Sequence, residues 1–186
     1  SYVSVPVVLA GKSLGASIYL HEQNGYPGVS NRFLARFATK VFLGFEAARE
    51  HFADQSKIIY SGNPVRSDFR GRNRQDDRRT LGIPEDDFVI MVFGGSLGSE
   101  TTNTVAEEIA REYAGRKGYT VIWGTGSMYY DEITERFARE GFSPDNVRIS
   151  AFIKNMPEVL SAADMTISRS GALSTAETTM EGRAAI

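Results

Sequence analysis

Four clusters in this 186-residue chain carry residue types suited to a phosphate-linked, hydroxyl-rich ligand. Gly94-Gly95-Ser96-Leu97-Gly98 follows the apolar run Phe88 to Phe93 and precedes a helix-like stretch around Val105 and Ile109. A buried strand, a glycine turn and a helix start gather unpaired backbone N–H groups and the positive end of a helix dipole at one point, where a diphosphate binds. Ser96 adds a hydroxyl donor. The same residues also read as a tight turn that needs glycine only for its backbone angles. Ser168-Arg169-Ser170-Gly171-Ala172 repeats the arrangement after a later strand, with Glu177 in the helix beyond. A carboxylate there accepts two hydrogen bonds from a vicinal diol, as in ribose or a hexose, or is simply a solvated helix glutamate.

His21-Glu22-Gln23-Asn24 sits where a strand ends, the edge at which open parallel sheets bind ligands. Four hydrogen-bonding side chains in a row suit a sugar; equally, His21 reads as a structural histidine and Asn24, before glycine, as a turn residue. Arg66, after Gly62-Asn63-Pro64-Val65, is placed to reach a phosphate or nucleotide in an interdomain cleft, or is a surface arginine. No Asp-x-Asp pair, histidine cluster or cysteine occurs, so no metal ligand set and no cofactor is expected. The charge of a departing diphosphate would then fall to helix N-termini and backbone donors. A dinucleotide site is disfavoured, because the strand ending in Trp123-Gly124-Thr125-Gly126 lacks the acid that would hold the ribose.

The elements that must position these residues follow an α/β rhythm. A short helix or loop is expected around Val5 to Leu14, a strand from Ala16 to Leu20, a turn at Gly25 to Gly28, and a helix presenting Phe33, Leu34 and Phe37 on one face. Short strands follow at Val41 to Leu43 and Ile58 to Tyr60. Arg70 to Arg79 has the composition of a linker. Beyond it, strands are expected at Phe88 to Phe93, Thr120 to Trp123, Val147 to Ala151 and Met165 to Ile167. Helices are expected at Glu100 to Tyr113, Tyr129 to Arg139, Pro157 to Ala163 and Ala172 to Glu181. Continuously apolar strands separated by helices imply parallel sheets covered on both sides. The expected division is a first domain over 1–65, a linker over 66–80 and a second domain over 81–186.

The composition, 41% apolar and 24% charged with net charge −2, is that of a folded soluble domain. Apolar runs are strand-sized, so any membrane contact would be peripheral. Residues 1–80 carry 12 Lys or Arg against 7 Asp or Glu, and residues 81–186 carry 9 against 16. A basic first part suits anionic phosphates or an anionic lipid surface. Starting at Ser1 in an apolar segment and stopping at Ala184-Ala185-Ile186, which reads as the start of another strand, the chain is expected to be part of something larger.

The order His21-Glu22-Gln23-Asn24, Pro27-Gly28, Asn31-Arg32, Gly62-Asn63-Pro64-Val65-Arg66, Gly94-Gly95-Ser96, Ser168-Arg169-Ser170-Gly171-Ala172 and Glu177 resembles the MurG family from Tyr2 to Ile186. These are family-28 glycosyltransferases that convert lipid I to lipid II in bacterial peptidoglycan synthesis. The resemblance implies a GT-B fold of two Rossmann-like domains, acceptor lipid on the N-terminal side and UDP-GlcNAc mainly on the C-terminal side. It implies a peripheral place on the cytoplasmic face of the inner membrane, an anionic membrane surface as partner, and no nucleic acid. It places Ser96 on the donor diphosphate, the Ile153 backbone on the uracil edge, Glu177 on the ribose, Ala172 and Leu173 beside the donor sugar, and Asn24 and Arg66 across the cleft. The resemblance implies an inverting reaction, in which a base takes the C4 hydroxyl proton of N-acetylmuramic acid, the oxygen attacks the anomeric carbon of GlcNAc, and UDP leaves.

Three departures stand out. The family's N-terminal glycine-rich loop and its histidine have no counterpart, so the base is expected outside these residues, with His21 the one candidate within them. The downstream glutamine that reads the donor sugar also has none, and Leu97 stands where the family often has Gln. By itself the chain is therefore expected to lack transferase activity. The alternatives are another UDP-sugar GT-B enzyme or epimerase, and a nucleotide-sugar-binding module without chemistry.

Overall fold

The computed structural model describes residues 2–186, which form two compact units, one ending at Val65 and the other beginning at Arg66. In the first unit, helix α1 (Ser4–Ser13) is followed by strand β1 (Tyr19–Glu22), helix α2 (Val29–Leu34), strand β2 (Lys40–Leu43) and strand β3 (Ile58–Tyr60). The strands form a parallel sheet in the order β1-β2-β3, with Leu20 beside Val41 and Val41 beside Ile58. Its core gathers Ile18, Leu20, Leu34, Ala38, Val41, Leu43, Ala48, Phe52 and Ile58.

Two expectations shift here. Strand β1 begins three residues later than Ala16 and takes in His21 and Glu22, so half of the polar motif belongs to the sheet. The expected face of Phe33, Leu34 and Phe37 does not form as a unit. After Leu34 the helix tightens into a 3₁₀ turn (Ala35–Phe37), which changes the angular step between residues. Leu34 is fully buried, Phe37 is partly buried and Phe33 is exposed, the two rings meeting edge-on at 5.8 Å.

The second unit opens with helix α3 (Arg74–Leu81), which corrects the linker expectation for 66–80. Asn73 caps it by accepting from the Gln75 and Asp76 N–H groups at 2.9 and 3.1 Å, and Gly82 closes it at φ 60°. The helix packs on α6 (Met156–Ala162). Arg78, only 3% exposed, donates to Asp164 Oδ2 at 2.7 Å, the Ala162 carbonyl at 3.1 Å and the Glu85 carbonyl at 2.5 Å. Arg74 also pairs with Asp164, and Arg72 with Asp77 and Glu158. A composition that looks like a solvated linker is thus consumed by partners inside the fold. Part of the basic excess of residues 1–80 lies here, with Arg72, Arg74 and Arg78 already paired.

Beyond α3 come β4 (Phe88–Phe93), α4 (Glu100–Tyr113), β5 (Tyr119–Gly124), α5 (Tyr130–Glu140), β6 (Val147–Ser150), α6, β7 (Met165–Ser168), α7 (Ala172–Met180) and β8 (Ala184–Ala185). The sheet order is β6-β5-β4-β7-β8, and every pairing is parallel. Strands β4 and β5 are buried on both faces, as their unbroken apolar runs require. On one side, Ile90, Val92, Ala106, Ala110, Trp123, Ile133 and Phe137 pack together. From β4 the chain moves outward through β5 and β6, then returns to place β7 on the other side of β4. The strand order therefore reverses between β4 and β7, which stay paired through Phe93 and Ser168, and the loops that follow the two strands leave a crevice between them.

Candidate functional site

The crevice is present in the second unit. A cleft of about 280 Å³ opens between the ends of β4 and β7, lined by Phe93, Gly94, Gly95, Arg169, Ser170, Gly171 and Ser174. Beside it lies a smaller, mostly apolar slot of about 110 Å³, lined by Phe93, Gly95, Ser96, Gly124, Phe152, Ile153, Met156 and others. Phe93, Gly95 and Ser174 line both, so the two spaces adjoin. One is walled by backbone and small polar groups at the start of α7, the other by aliphatic and aromatic side chains. The first suits phosphates and the second a planar base.

The glycine turn keeps its shape by contact with the next loop. Gly98 (φ 91°) and Gly126 (φ 83°) meet so closely that a Cβ on Gly98 would lie 2.2 Å from the Thr125 carbonyl, and one on Gly126 would lie 2.1 Å from the Gly98 nitrogen. Ser127 donates its N–H to the Ser96 carbonyl at 3.2 Å. Beneath them the buried Asn103 donates to the Thr125 carbonyl at 2.9 Å and accepts from the Trp123 indole at 3.0 Å. Gly94 is close-packed too: a Cβ there would come within 2.7 Å of the Ser99 nitrogen. Three of these glycines are therefore required by packing, whatever they also do for a ligand.

Of the residues singled out from the sequence, the structure brings Ser96 and Ile153 to one slot. Ile153 is buried, with its side chain forming part of the wall. Ala172 and Leu173 begin α7 directly after the cleft-lining Gly171, and Glu177 follows one turn beyond Ser174. Burial pushes the Glu177 carboxyl above its ordinary value; Arg66 opposes this and Asp68 adds to it. Arg66 lies in this second unit, 3.6 Å from Asp68 and over the Phe69 ring. Among the described residues, no group of three or more His, Asp or Glu is placed to hold a metal ion.

Asn24 belongs to the first unit, in a polar recess of about 250 Å³ at the end of β1, with His21, Glu22, Gln23, Gly28, Ser30 and Asn31. Glu22 is the organiser. Only 3% exposed, it accepts from the Asn24 N–H at 3.0 Å, the Asn24 amide at 3.1 Å, the Gly28 N–H at 3.0 Å and the Asn31 amide at 2.8 Å. Burial alone would raise its carboxyl; the four donors outweigh that and hold it below the ordinary glutamate value. His21 Nε2 lies 3.2 Å from the Gly62 carbonyl, as a structural histidine would. Asn103, Ser127 and Ser174 escaped the sequence reading and left no local signal there. Glu22 reads from the sequence as one of four residues suited to a sugar, whereas the structure engages it with Asn24, Gly28 and Asn31.

Two parallel α/β units, one with a cleft at its strand-order reversal, define the class of fold, the GT-B type. Residues 89–186 match the glycosyltransferase family 28 C-terminal domain and residues 1–43 the family 28 N-terminal domain; the chain belongs to glycosyltransferase family 28. It is 43% identical over 185 residues to a UDP-N-acetylglucosamine--N-acetylmuramyl-(pentapeptide) pyrophosphoryl-undecaprenol N-acetylglucosamine transferase of Bacillus cytotoxicus, covering 100% of this chain and 50% of that protein. To the same-named protein of Acetivibrio thermocellus it is 35% identical, over 97% of this chain and 48% of the relative. Among solved structures, MurG of Acinetobacter baumannii superposes with a TM-score of 0.63 at 26% identity, over 100% of this chain and 49% of that one. The UDP-GlcNAc 2-epimerase of Neisseria meningitidis bound to UDP-GlcNAc superposes at 0.68 with 15% identity, over 96% and 54%, a likeness of fold. The chain spans about half the length of these relatives.

Proposed function

We propose that residues 66–186 hold UDP-N-acetylglucosamine and residues 2–65 contribute to the acceptor side of a transferase that moves GlcNAc to the C4 hydroxyl of N-acetylmuramic acid in lipid I, giving lipid II. The observation that carries this reading is the pair of adjoining clefts at the β4/β7 reversal. The apolar slot at Ile153 takes the uracil, and the backbone of Gly95 and Ser96 faces the diphosphate. Glu177 takes the ribose diol, while Ala172 and Leu173 lie beside the sugar. Asn24 and Arg66 serve the acceptor and donor sugars. The names of the relatives support the substrate pair.

The acceptor is a lipid, so the enzyme works at a membrane surface. Among the described residues no helix is long and apolar enough to cross a membrane. In the first unit Arg36 lies over the exposed Phe33 ring at 4.4 Å, and Arg32 over Tyr26 at 5.4 Å. Cations on exposed aromatic rings suit a peripheral contact with an anionic surface on the cytoplasmic face of the inner membrane. Reversing charge at Arg32 and Arg36 is expected to reduce sedimentation with anionic vesicles; unchanged sedimentation removes this contact.

Calorimetric titration tests the donor reading. UDP-GlcNAc is expected to bind more tightly than UDP-glucose or NAD, and Glu177→Ala to weaken it. A folded chain that binds NAD as well, or binds no UDP sugar, defeats the assignment. The full-length protein is expected to glycosylate lipid I.

A further inference from the structure

We propose that Arg169 is the cation that grips the donor diphosphate. This rests on the donor-site reading above and adds a residue to it. Among the side chains lining the two adjoining clefts, Arg169 alone is charged. The other walls at the wider cleft are Phe93, Gly94, Gly95, Ser170, Gly171 and Ser174, which offer an aromatic ring, backbone partial charges and hydroxyls but no full charge. A nucleoside diphosphate brings at least two full negative charges to that space, and backbone dipoles match only part of them.

The backbone at this position is fixed. The Arg169 carbonyl accepts the Gly171 N–H at 2.7 Å and the Ser168 hydroxyl at 3.2 Å, pinning the Cα at the mouth of the cleft. The side chain is exposed and, among the described residues, has no carboxylate partner. Four other arginines of the unit each face a carboxylate. Arg66 faces Asp68, Arg74 and Arg78 share Asp164, and Arg72 is held by Asp77 and Glu158. Facing glycines leave no side chain between guanidinium and ligand, so phosphate oxygens can meet the planar fork of donors directly. Such a contact acts on the diphosphate and leaves the base untouched. It also grows in strength as the sugar–oxygen bond breaks and charge accumulates on the leaving UDP.

Titrating this chain with UDP and with uridine separates the two parts of the nucleotide. Arg169→Gln is expected to weaken UDP about ten- to a hundredfold, as for loss of one charge-assisted contact, while uridine stays within about twofold. Arg169→Lys, which keeps the charge without the fork, is expected to fall between. Unchanged UDP affinity overturns the proposal, and so does an equal loss of UDP and uridine, which marks a structural role. If the unsubstituted chain does not prefer UDP to uridine, the donor-site reading itself fails, and the assignment of Arg169 falls with it.

Discussion

Glu22 and Glu177 are carboxylates of the same chemistry whose surroundings drive them in opposite directions. Glu22 is held below the ordinary value of 4.5 by its four donors, so its stabilising contribution is complete above that value and is lost as pH falls through the folded-state value. Glu22→Gln is expected to lower stability by about 1.5–3 kcal/mol at neutral pH, a gap that closes on acidification; urea titrations at neutral and acid pH measure it. Glu177 is raised by burial, so it takes up a proton at a higher pH than an ordinary glutamate. If its ionised form holds the ribose, UDP affinity is expected to fall on acidification at a higher pH than an ordinary glutamate would give, and Glu177→Gln to remove that pH dependence. The sequence made both residues visible as candidates without saying which was structural. Burial and donor count decide that, and neither is a property of a four-residue motif.

At the scale of elements, the loop after β4 and the loop after β5 make one structure. The glycines of the first are legible in sequence as a phosphate turn, whereas the structure also requires one of them, Gly98, to fit against Gly126 of the second loop. That requirement pairs residues 28 positions apart. Gly126→Ala combines a strained left-handed backbone with a clash, and is expected to lose about 2–4 kcal/mol of stability and most UDP affinity together. Asn103→Ala leaves the Thr125 carbonyl and Trp123 indole buried without their partner. It is expected to lower stability by a similar amount, read by thermal or urea unfolding, with quenching or exposure of the single Trp as an independent signal. In the second unit, β4 and β5 follow the sequence pattern because each spans six residues of mostly apolar side chains. The first unit is less legible, since its strands span three or four residues and its second helix tightens midway.

For the molecule as a whole, the informative residues are those that looked least structural. Arg70 to Arg79 has linker composition because its charged partners, Asp164 and Glu158, lie far along the chain where no local pattern reveals them. A piece spanning 82–186 is expected to unfold at a lower denaturant concentration than one spanning 66–186. Arg78→Ala, which removes a buried guanidinium while Asp164 keeps Arg74 and the Val89 N–H, is expected to destabilise the longer piece by about 1.5–3 kcal/mol. Equal midpoints for the two pieces would show that α3 is dispensable. The tie between Arg78 and Asp164 also sets where two relatives can be recombined. A crossover at Val65 passes α3 and its acid to the hybrid from the same parent, whereas one at Thr80 draws the guanidinium from one lineage and its counterion surroundings from another. Hybrids of the second kind should survive only where both parents solved that buried pairing alike, so inheritance itself would trace the boundary between the units.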